Sequence, residues 1–343
     1  MAIALAQGSA AQAGGASANG DRLAMVTYWG DDRVALLDTQ GQDGKEEVWS
    51  IDVLKAAGCP KPYDVRVNAA GSRAYVSCSG GDEVIAVDIV AQLVEWKVKT
   101  GKSPRDLQLY DGDKKLLVAN SGSDTVSVVD VENRKVLYEI PVGLQPYGVA
   151  LAQGGKLGLI TGWASGDLHV LELGGTSGRV LGKVKVGLLP YTVVAPKDGS
   201  VAYVAANGDH SVVAVDVAKR VVVKSQPVGR NPWSIATNPE GTRLLVANNR
   251  SGNLSLMDAV GEGGASSFTA GRLLDAGAVL NPSGVSTARA AKNVALTADG
   301  KTGIFTDLAN NQVVVVDTTT GQIKKAIAVG KAPYGIEMIR PVN

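Results

Sequence analysis

The chain has 343 residues, enough for two ordinary domains, and its charge is nearly balanced at +1. Because it carries no run of like charges, the composition gives no general attraction to nucleic acid or to an anionic membrane. Gly 42 and Pro 13 between Val-rich runs are typical of short strands joined by frequent turns.

Residues 1–20 are mostly Ala, Gly and Ser. The triplet Ala11-Gln12-Ala13 has the small-x-small form of a signal-peptidase site, but the charged segment that normally starts an export signal is missing. We interpret residues 1–20 as the remnant of a signal peptide or as a disordered arm. Later stretches lack the roughly 18 consecutive apolar residues of a membrane helix. We therefore expect residues 21–343 to be exported, soluble and periplasmic.

The folded part begins with a β-hairpin pattern. Leu23–Tyr28 and Arg33–Asp38 are alternating apolar runs joined by a short turn. The same pattern recurs at Tyr75–Asp88, Leu117–Asp130, Leu159–Glu172, Tyr203–Asp216, Leu245–Asp258 and Ile304–Asp317. Each hairpin closes on Asp or Glu, and we expect these carboxylates to cap turn amides rather than to act in catalysis.

Two further runs accompany these hairpins. A third strand-like run follows most of them, as at Leu93–Lys99, Val136–Val142, Val180–Val186, Val221–Val228 and Ile323–Val329. A short run precedes each of the last six, and it usually opens with Pro and an aromatic residue. Each repeat therefore contains four predicted strands, at a spacing of about 40 residues that is typical of stacked repeats.

The two ends of the chain carry complementary parts of one repeat. The run Pro333–Ile339 has no hairpin after it, and the hairpin Leu23–Asp38 has no such run before it. Joining residues 21–58 with residues 332–340 completes a four-stranded blade and removes exposed sheet edges. The sequence therefore predicts an all-β fold, a seven-bladed β-propeller of four-stranded blades, closed by the N-terminal strands plus the C-terminal strand. An open solenoid would not explain these complementary ends.

Several second-strand motifs resemble the Tyr-Val-Thr-Asn signature of YVTN-type seven-bladed propellers. They are Met25-Val26-Thr27-Tyr28, Tyr75-Val76-Ser77, Leu117-Val118-Ala119-Asn120, Tyr203-Val204-Ala205-Ala206-Asn207 and Leu245-Val246-Ala247-Asn248-Asn249. The resemblance covers about Asp21 to Arg340. It is specific for the architecture and weak for function, because propellers carry many unrelated activities.

Propeller geometry predicts a functional face. If the Pro-aromatic runs are innermost, their first residues and the turns after the second strands lie on one side of the disc. The ring positions are Tyr63, Arg105, Tyr147, Tyr191, Trp233, Lys292 and Tyr334. The turn positions add Tyr28, Trp29, Asn120, Trp163, Asn207, His210, Asn248, Asn249 and Asp307. Aromatic rings, two cations and several amides suit an anionic or planar ligand, or a side chain of a protein partner. Alternatively, the aromatics wedge between the blades and plug the tunnel.

Two connections between repeats are longer than the others, from Asp38 to Tyr63 and from Asp258 to Lys292. The second contains Gly261–Gly264 and Asn281–Gly284, directly before the repeat in which Lys292 replaces the aromatic residue. Long loops on one face of a repeat protein are often binding elements, although neutral drift in a surface loop explains them equally.

The two cysteines, Cys59 and Cys78, belong to one predicted blade. We predict a Cys59–Cys78 disulfide, which suits an exported protein.

Enzyme chemistry has little support in the sequence. The two histidines are His169, predicted to pack within a strand, and His210, predicted to lie in a turn. We find no Cys/His spacing for zinc, no haem-attachment motif and no catalytic triad, and we predict no catalytic residues and no cofactor. A weak calcium site at the tunnel mouth, using Asp307, Asn120, Asn207 and Asn248, is an open alternative.

The leading hypothesis is a monomeric, non-enzymatic periplasmic propeller that binds a ligand or a protein partner on the aromatic-cationic face. The family resemblance implies two alternatives. One is a lactonase-like enzyme, or a propeller subunit associated with a quinone or haem dehydrogenase. The other is a binder of single-stranded nucleic acid, which aromatic stacking would suit but the near-neutral charge disfavours.

Overall fold

In the computed structural model, residues 22–259, 268–274 and 291–340 are described. Residues 1–20 lie outside these ranges, as do Gly261–Gly264 and Asn281–Gly284. Within the described ranges the chain forms seven antiparallel sheets of four strands each. The predicted all-β, seven-bladed fold is confirmed.

The strands follow one another in the order of the predicted repeats. Blade 1 contains β1 (Leu23–Tyr28), β2 (Arg33–Asp38) and β3 (Glu47–Asp52). Blade 2 contains β4 (Pro62–Val67), β5 (Arg73–Cys78), β6 (Glu83–Asp88) and β7 (Leu93–Lys99). Blade 3 contains β8 (Pro104–Tyr110), β9 (Lys115–Asn120), β10 (Thr125–Asp130) and β11 (Lys135–Pro141). Blade 4 contains β12 (Pro146–Ala152), β13 (Leu157–Gly162), β14 (Asp167–Leu173) and β15 (Gly178–Lys185).

The second half repeats this arrangement. Blade 5 contains β16 (Pro190–Val194), β17 (Val201–Ala206), β18 (Ser211–Asp216) and β19 (Val221–Pro227). Blade 6 contains β20 (Pro232–Thr237), β21 (Arg243–Asn248), β22 (Asn253–Ala259) and β23 (Phe268–Leu274). Blade 7 contains β24 (Ala291–Leu296), β25 (Thr302–Asp307), β26 (Gln312–Asp317) and β27 (Ile323–Ala328). The last strand is β28 (Pro333–Met338).

Strand β28 closes the ring by pairing with β1. Ala24 lies opposite Met338 and Val26 opposite Ile336, so blade 1 has the order β28-β1-β2-β3. In every blade the strand that opens the repeat is innermost, and neighbouring innermost strands contact one another around the whole ring. The predicted closure by both ends of the chain is confirmed.

The hydrophobic core is divided among the interfaces between blades. The described residues form seven apolar clusters, and each cluster joins two neighbouring blades. Strand β26 shows why a run of consecutive valines is needed. Val313 and Val315 pack toward blade 1, whereas Val314 and Val316 pack toward blade 6. Because successive side chains point to opposite faces and both faces are buried, every position is apolar.

Most of the acidic residues at the ends of the hairpins cap turns, as predicted. Asp88 accepts hydrogen bonds from the amides of Val90 and Ala91, and Asp317 from those of Thr319 and Thr320. Asp38, Asp130 and Asp216 accept backbone amides in the same way. In the two other blades Glu172 pairs with Arg179 and Asp258 with Arg243.

Two short helical segments complete the described structure. Helix α1 (Val53–Ala57) lies between β3 and β4, begins at the N-cap Asp52 and ends at Gly58, whose φ is 71°. A 3-10 helix spans Gln153–Gly155. None of the helices in the described part of the chain has the length and apolarity that a membrane crossing requires.

Candidate functional site

The seven predicted ring residues occupy equivalent positions in the structure. Each is the second residue of an innermost strand, and side-chain contacts link them around the tunnel. They are Tyr63, Arg105, Tyr147, Tyr191, Trp233, Lys292 and Tyr334. We call this set the aromatic ring, and the side of the disc that carries it the aromatic face.

One half of the aromatic ring is built by stacking. The centroids of Tyr191 and Trp233 are 3.9 Å apart, with an angle of 29° between the ring planes. The ammonium of Lys292 lies 3.1 Å from the centroid of Trp233 and 5.5 Å from that of Tyr334. A cation over the face of an aromatic ring is attracted by the π electrons. Lys292 therefore replaces the missing aromatic residue of blade 7 without opening the ring.

Contacts in the other half complete the ring. Tyr334 and Tyr63 have centroids 4.4 Å apart, and their hydroxyls share a hydrogen bond of 2.9 Å. The Arg105 guanidinium lies 4.7 Å from the centroid of Tyr63 and 5.0 Å from that of Tyr147. Tyr147 meets Tyr191 edge to face at 5.0 Å. The ring residues therefore lie against one another and close this end of the tunnel.

Burial favours the neutral hydroxyl in three of the ring tyrosines. Tyr63 and Tyr334 are 4% and 8% exposed. Loss of solvation raises the pKa of the Tyr63, Tyr191 and Tyr334 hydroxyls above its usual range. The positive charges of the ring are therefore those of Arg105 and Lys292.

Hydroxyl groups from neighbouring blades hold the backbone of the ring in place. The ring carbonyls of Tyr63, Tyr191, Trp233 and Tyr334 accept hydrogen bonds from Thr27, Thr161, Thr192 and Thr306, respectively. Each bond runs from one blade to the next. These bonds therefore fix both the angle between blades and the position of the ring side chains.

Two glycines allow neighbouring innermost strands to approach closely. Gly148 and Gly335 occupy the position after the ring residue in blades 4 and 1. A Cβ at Gly335 would lie 2.6 Å from the carbonyl oxygen of Tyr63, and one at Gly148 would collide with the carbonyl of Tyr191. Only glycine lets neighbouring backbones approach this closely.

The predicted amide and carboxylate residues of the turns are spread over blades 3, 5, 6 and 7 and form local hydrogen bonds. Asn120 donates to Thr125 and Ser127, and Asn248 donates to Asn253 and Ser255. Asn207 donates to the Pro232 carbonyl and accepts from Asn231. Asp307 accepts from Ala309, Asn310 and Gln312, and Asn249 donates to the Ala291 carbonyl. The calcium site predicted from Asn120, Asn207, Asn248 and Asp307 stays a prediction.

His210 occupies a repeated turn position. The residue before the second strand of each hairpin has a positive φ. These residues are Asp32, Asp82, Asp124, Gly166, His210, Gly252 and Asn311. Asp32, Asp82 and Asp124 accept a backbone amide from the loop leading into the next blade. His210 accepts the amide of Asn231 through Nδ1 at 3.2 Å. The other histidine, His169, is buried in β14, and burial lowers its pKa.

The aromatic face also carries exposed apolar and basic side chains. The loops before the innermost strands, called connecting loops here, hydrogen-bond to the turns of this face, as from Gly208 N to Leu188 O at 2.9 Å. Leu144 and Leu188, in the connecting loops of blades 4 and 5, are 58% and 63% exposed. Trp29 is 37% exposed and its ring lies 5.0 Å from the Lys61 ammonium. Lys61, Lys102, Arg230 and Lys331 are exposed in the connecting loops of blades 2, 3, 6 and 1, respectively.

Trp163 lies beside the aromatic ring, 6.0 Å from Tyr147 and 6.3 Å from Tyr191. Tyr28 is buried and donates through its hydroxyl to Glu47. The Cys59–Cys78 disulfide is confirmed, with a Cα–Cα distance of 5.2 Å, and it lies within blade 2.

The tunnel contains a cavity that sequence reasoning did not predict. Its volume is about 490 Å³, and all seven innermost strands line it. The lining starts one residue after the aromatic ring, at residues such as Asp64 and Thr192, and extends to Asn238 and Arg340 at the other ends of the strands. The ring residues themselves do not line it. The cavity therefore opens on the face opposite the aromatic face.

Charged residues of blades 1 to 3 form one wall of this cavity. Arg66 donates to Asp64 at 2.8 Å and to Gln108 at 3.1 Å, and lies 3.3 Å from Glu337. Burial raises the pKa of Asp64 and Asp106, and it raises the pKa of Glu337 to about 7. The sequence contained a signal for this wall. Charged residues stand inside the innermost strands of blades 1 to 3, whereas the corresponding positions of the other blades are uncharged.

In the described ranges, no three His, Cys, Asp or Glu side chains are grouped so that they could hold a metal ion.

A comparison with family models matches residues 21–237 to the model described as YNCE-like beta-propeller. A comparison with curated proteins found no match.

Solved structures with the same fold include three that cover most of the chain. A functionally unknown protein from Desulfotomaculum acetoxidans is 14% identical, with a TM-score of 0.79, over 93% of this chain and 99% of its own. Hydrazine synthase from Kuenenia stuttgartiensis is 18% identical, with a TM-score of 0.67, over 80% and 88%. Dihydro-heme d1 dehydrogenase NirN is 16% identical, with a TM-score of 0.59, over 93% and 75%. At these identities the likeness shows the fold alone.

Proposed function

The chain belongs to the YNCE-like beta-propeller family, and from this premise we propose that it is a non-enzymatic propeller that binds an acidic protein partner on its aromatic face. The observation that carries the proposal is the joint exposure of apolar and basic side chains in the connecting loops. Leu144 and Leu188 are more than half exposed, and Lys61, Lys102 and Lys331 are exposed in other connecting loops of the same face. Exposed apolar side chains bordered by charge are typical of protein-binding surfaces.

The closed aromatic ring favours a protein partner over a small planar ligand. Trp233 already contacts Tyr191 and Lys292, and Arg105 already lies between Tyr63 and Tyr147. A planar ligand would have to displace these contacts before it could stack. A partner that covers the connecting loops needs no such rearrangement, and the ring beneath gives it a rigid base.

The exposed lysines of the connecting loops can pair with acidic side chains of a partner. Acidic residues of the same turns, such as Asp32 and Asp124, accept amide hydrogen bonds from the connecting loops. The lysines of these loops are exposed to solvent. Complementary charge mainly accelerates association, and its effect falls as salt rises. An acidic partner is therefore favoured, and its association rate depends on ionic strength.

The disulfide supports a location in an oxidising compartment. Cys59 and Cys78 are both fully buried and linked. Structural disulfides persist in secreted and periplasmic proteins and are rare in the cytosol. We place the interaction in the bacterial periplasm, where the partner is another exported protein.

The test is capture from a periplasmic extract on the immobilised protein. The variant Leu144→Ala/Leu188→Ala removes the two most exposed leucines of the aromatic face. We expect the amount of captured partner to fall at least tenfold. The matched control is Leu93→Ala, since Leu93 is 48% exposed but lies on the outermost strand β7. The control is expected to retain the partner.

Three results would contradict the proposal. Equal capture by the double variant and the control would remove the surface from the interaction. Retention of a single-stranded oligonucleotide, with affinity that falls steeply with salt, would favour the nucleic-acid alternative. Turnover of a lactone by the purified protein would favour the enzyme alternative.

A further inference from the structure

The tunnel cavity has the size of a small-molecule site and lies away from the proposed docking surface. Its volume of about 490 Å³ falls within the range of roughly 300–1,000 Å³ that is usual for ligand pockets. The aromatic ring separates it from the aromatic face. A ligand must therefore reach it from the opposite face, past Arg340 and Lys197 at the rim.

The deep part of the cavity has more acidic than basic side chains. Three carboxylates line it, those of Asp64, Asp106 and Glu337. The cation among these deep lining residues is Arg66, whose donors already contact Asp64, Gln108 and Glu337. For the Asp106 carboxylate, the described residues provide neither a hydrogen bond nor an ion pair. Asp106 is therefore the lining group with acceptor capacity to spare.

The wall opposite the carboxylates is polar at one level and apolar at the next. At the level of Asp64 and Asp106 it carries Thr192, Ser234 and Asn293. Blades 4 to 7 contribute Ala150, Val194, Ala236 and Ala295 at the level of Arg66 and Glu337. The cavity therefore has a charged wall in blades 1 to 3 and an aliphatic patch opposite Arg66 and Glu337, which suits a molecule with one charged end and an apolar body.

Two other ligand classes fit less well. A bare divalent cation needs several converging oxygen ligands, whereas the described acidic side chains form no such group. An anion would meet Asp106 and Glu337, while Arg66 is already paired. Of these three classes, an organic cation with a hydrocarbon portion fits the lining best, and a neutral ligand of the same length is the comparison in the test below.

We infer that the tunnel cavity binds a small aliphatic amine, with its ammonium against Asp106 and Glu337 and its chain against the alanine and valine wall. This site goes beyond the proposed function, because it lies on the other side of the aromatic ring and involves none of the docking residues. The ammonium replaces the solvation that both carboxylates lose on burial.

Protonation then makes binding depend on pH. The charged and titratable groups that face Asp106 and Glu337 are Asp64, Arg66, Arg105 and Arg340, together with the hydroxyls of Tyr63 and Tyr334. Burial raises the pKa of both carboxyl groups, that of Glu337 to about 7. A carboxyl group must lose its proton to pair with an ammonium. Because Glu337 ionises around pH 7, the affinity for an amine increases as the pH rises from 5.5 to 7.5.

The test is calorimetric titration of the intact protein with n-hexylamine, using 1-hexanol and hexanoate as probes of the same length. At pH 7.5 we expect hexylamine to bind at least tenfold more tightly than hexanol, and hexanoate to bind more weakly than either. Asp106→Asn should reduce the affinity for hexylamine to that for hexanol. Glu132→Gln, an exposed acid in the same blade, should leave it unchanged.

Two further variants keep the outcome decisive. Ala236→Phe should abolish binding of both hexylamine and hexanol, because the larger side chain fills the aliphatic side of the cavity. If thermal unfolding shows that Asp106→Asn is not folded, Glu337→Gln takes its place with the same expected loss. The inference is overturned if hexylamine binds no better than hexanol, or if its affinity survives both carboxyl substitutions or the cavity-filling substitution.

Discussion

The Tyr334 hydroxyl donates a 2.9 Å hydrogen bond to the Tyr63 hydroxyl across a sequence separation of 271 residues. Tyr334 lies on the last strand and Tyr63 on the first innermost strand. The bond therefore joins blades 1 and 2 at the point where the two ends of the chain close the propeller. Both side chains are buried, so water cannot fully replace the hydrogen-bond partner of either hydroxyl.

This pair gives the first prediction. Tyr334→Phe or Tyr63→Phe alone should lower the free energy of unfolding by about 1–2 kcal/mol, because each leaves one buried hydroxyl without its partner. The double variant should lose less than the sum, since both polar groups are then absent. Denaturant unfolding of the four proteins measures the coupling. Strict additivity would mean that the hydrogen bond contributes nothing to closure.

The second prediction concerns the close approach of innermost strands. Gly335→Ala places a Cβ 2.6 Å from the Tyr63 carbonyl oxygen and Gly148→Ala creates the same conflict with Tyr191. We expect each to cost about 1–3 kcal/mol, because the blades must shift apart. The control is Gly175→Ala, since a Cβ at Gly175 meets no heavy atom within 4 Å. Thermal unfolding midpoints that do not separate these variants from the control would refute the steric argument.

The third prediction concerns the disulfide. Cys59 and Cys78 are separated by 19 residues in the sequence, and a cross-link of this span stabilises a protein by about 3 kcal/mol. Cys59→Ala/Cys78→Ala should unfold at lower denaturant concentration than the oxidised protein. Non-reducing mass spectrometry should find no free thiol in the wild type. Two free thiols, or identical unfolding curves, would contradict the assignment and weaken the case for the periplasm.

The fourth prediction concerns Glu337. Its pKa rises from 4.5 to about 7 on folding because the carboxyl group is buried. Below pH 4.5 the group is protonated in both states. Between the two values the unfolded chain has released the proton while the folded chain holds it, so stability falls as the pH rises to about 7. The loss is at most about 3 kcal/mol, since the side chain is 30% exposed and solvent screens its charge.

Comparison with Glu337→Gln isolates this effect from the other carboxylates. Burial raises the pKa of Asp106, whereas backbone amides lower the pKa of surface residues such as Asp317. The pH dependence of wild-type stability therefore combines opposite contributions from different carboxyl groups. The variant should gain stability relative to the wild type between pH 4.5 and 8. A difference that stays constant with pH would show that the Glu337 carboxyl group is not perturbed.

The repeat pattern was sufficient to predict the architecture. Consecutive apolar residues, as in Val313–Val316, indicate burial on both faces of a strand. The incomplete repeats at the two ends of the chain predict their pairing. The disulfide was also predictable because both cysteines fall in one blade. These features depend on local spacing, which the sequence displays directly.

The chemistry of the tunnel was less accessible to sequence reasoning. The aromatic ring was located correctly, but contacts such as Lys292 over Trp233 depend on side-chain rotamers. Asp64, Arg66 and Glu337 were overlooked because they lie on two strands far apart in the sequence and meet only when the ring closes. Polar residues in an innermost strand were a usable signal, since a buried charge requires a partner.

Hydrogen–deuterium exchange of the protein with and without its captured partner tests the proposed docking surface most directly. We predict that binding slows exchange in the connecting loops of the aromatic face, at residues 143–145 and 187–189, and leaves the outermost strand β7 unchanged. Protection confined to the opposite face or to the outermost strands, with those loops unaffected, would contradict the proposed function.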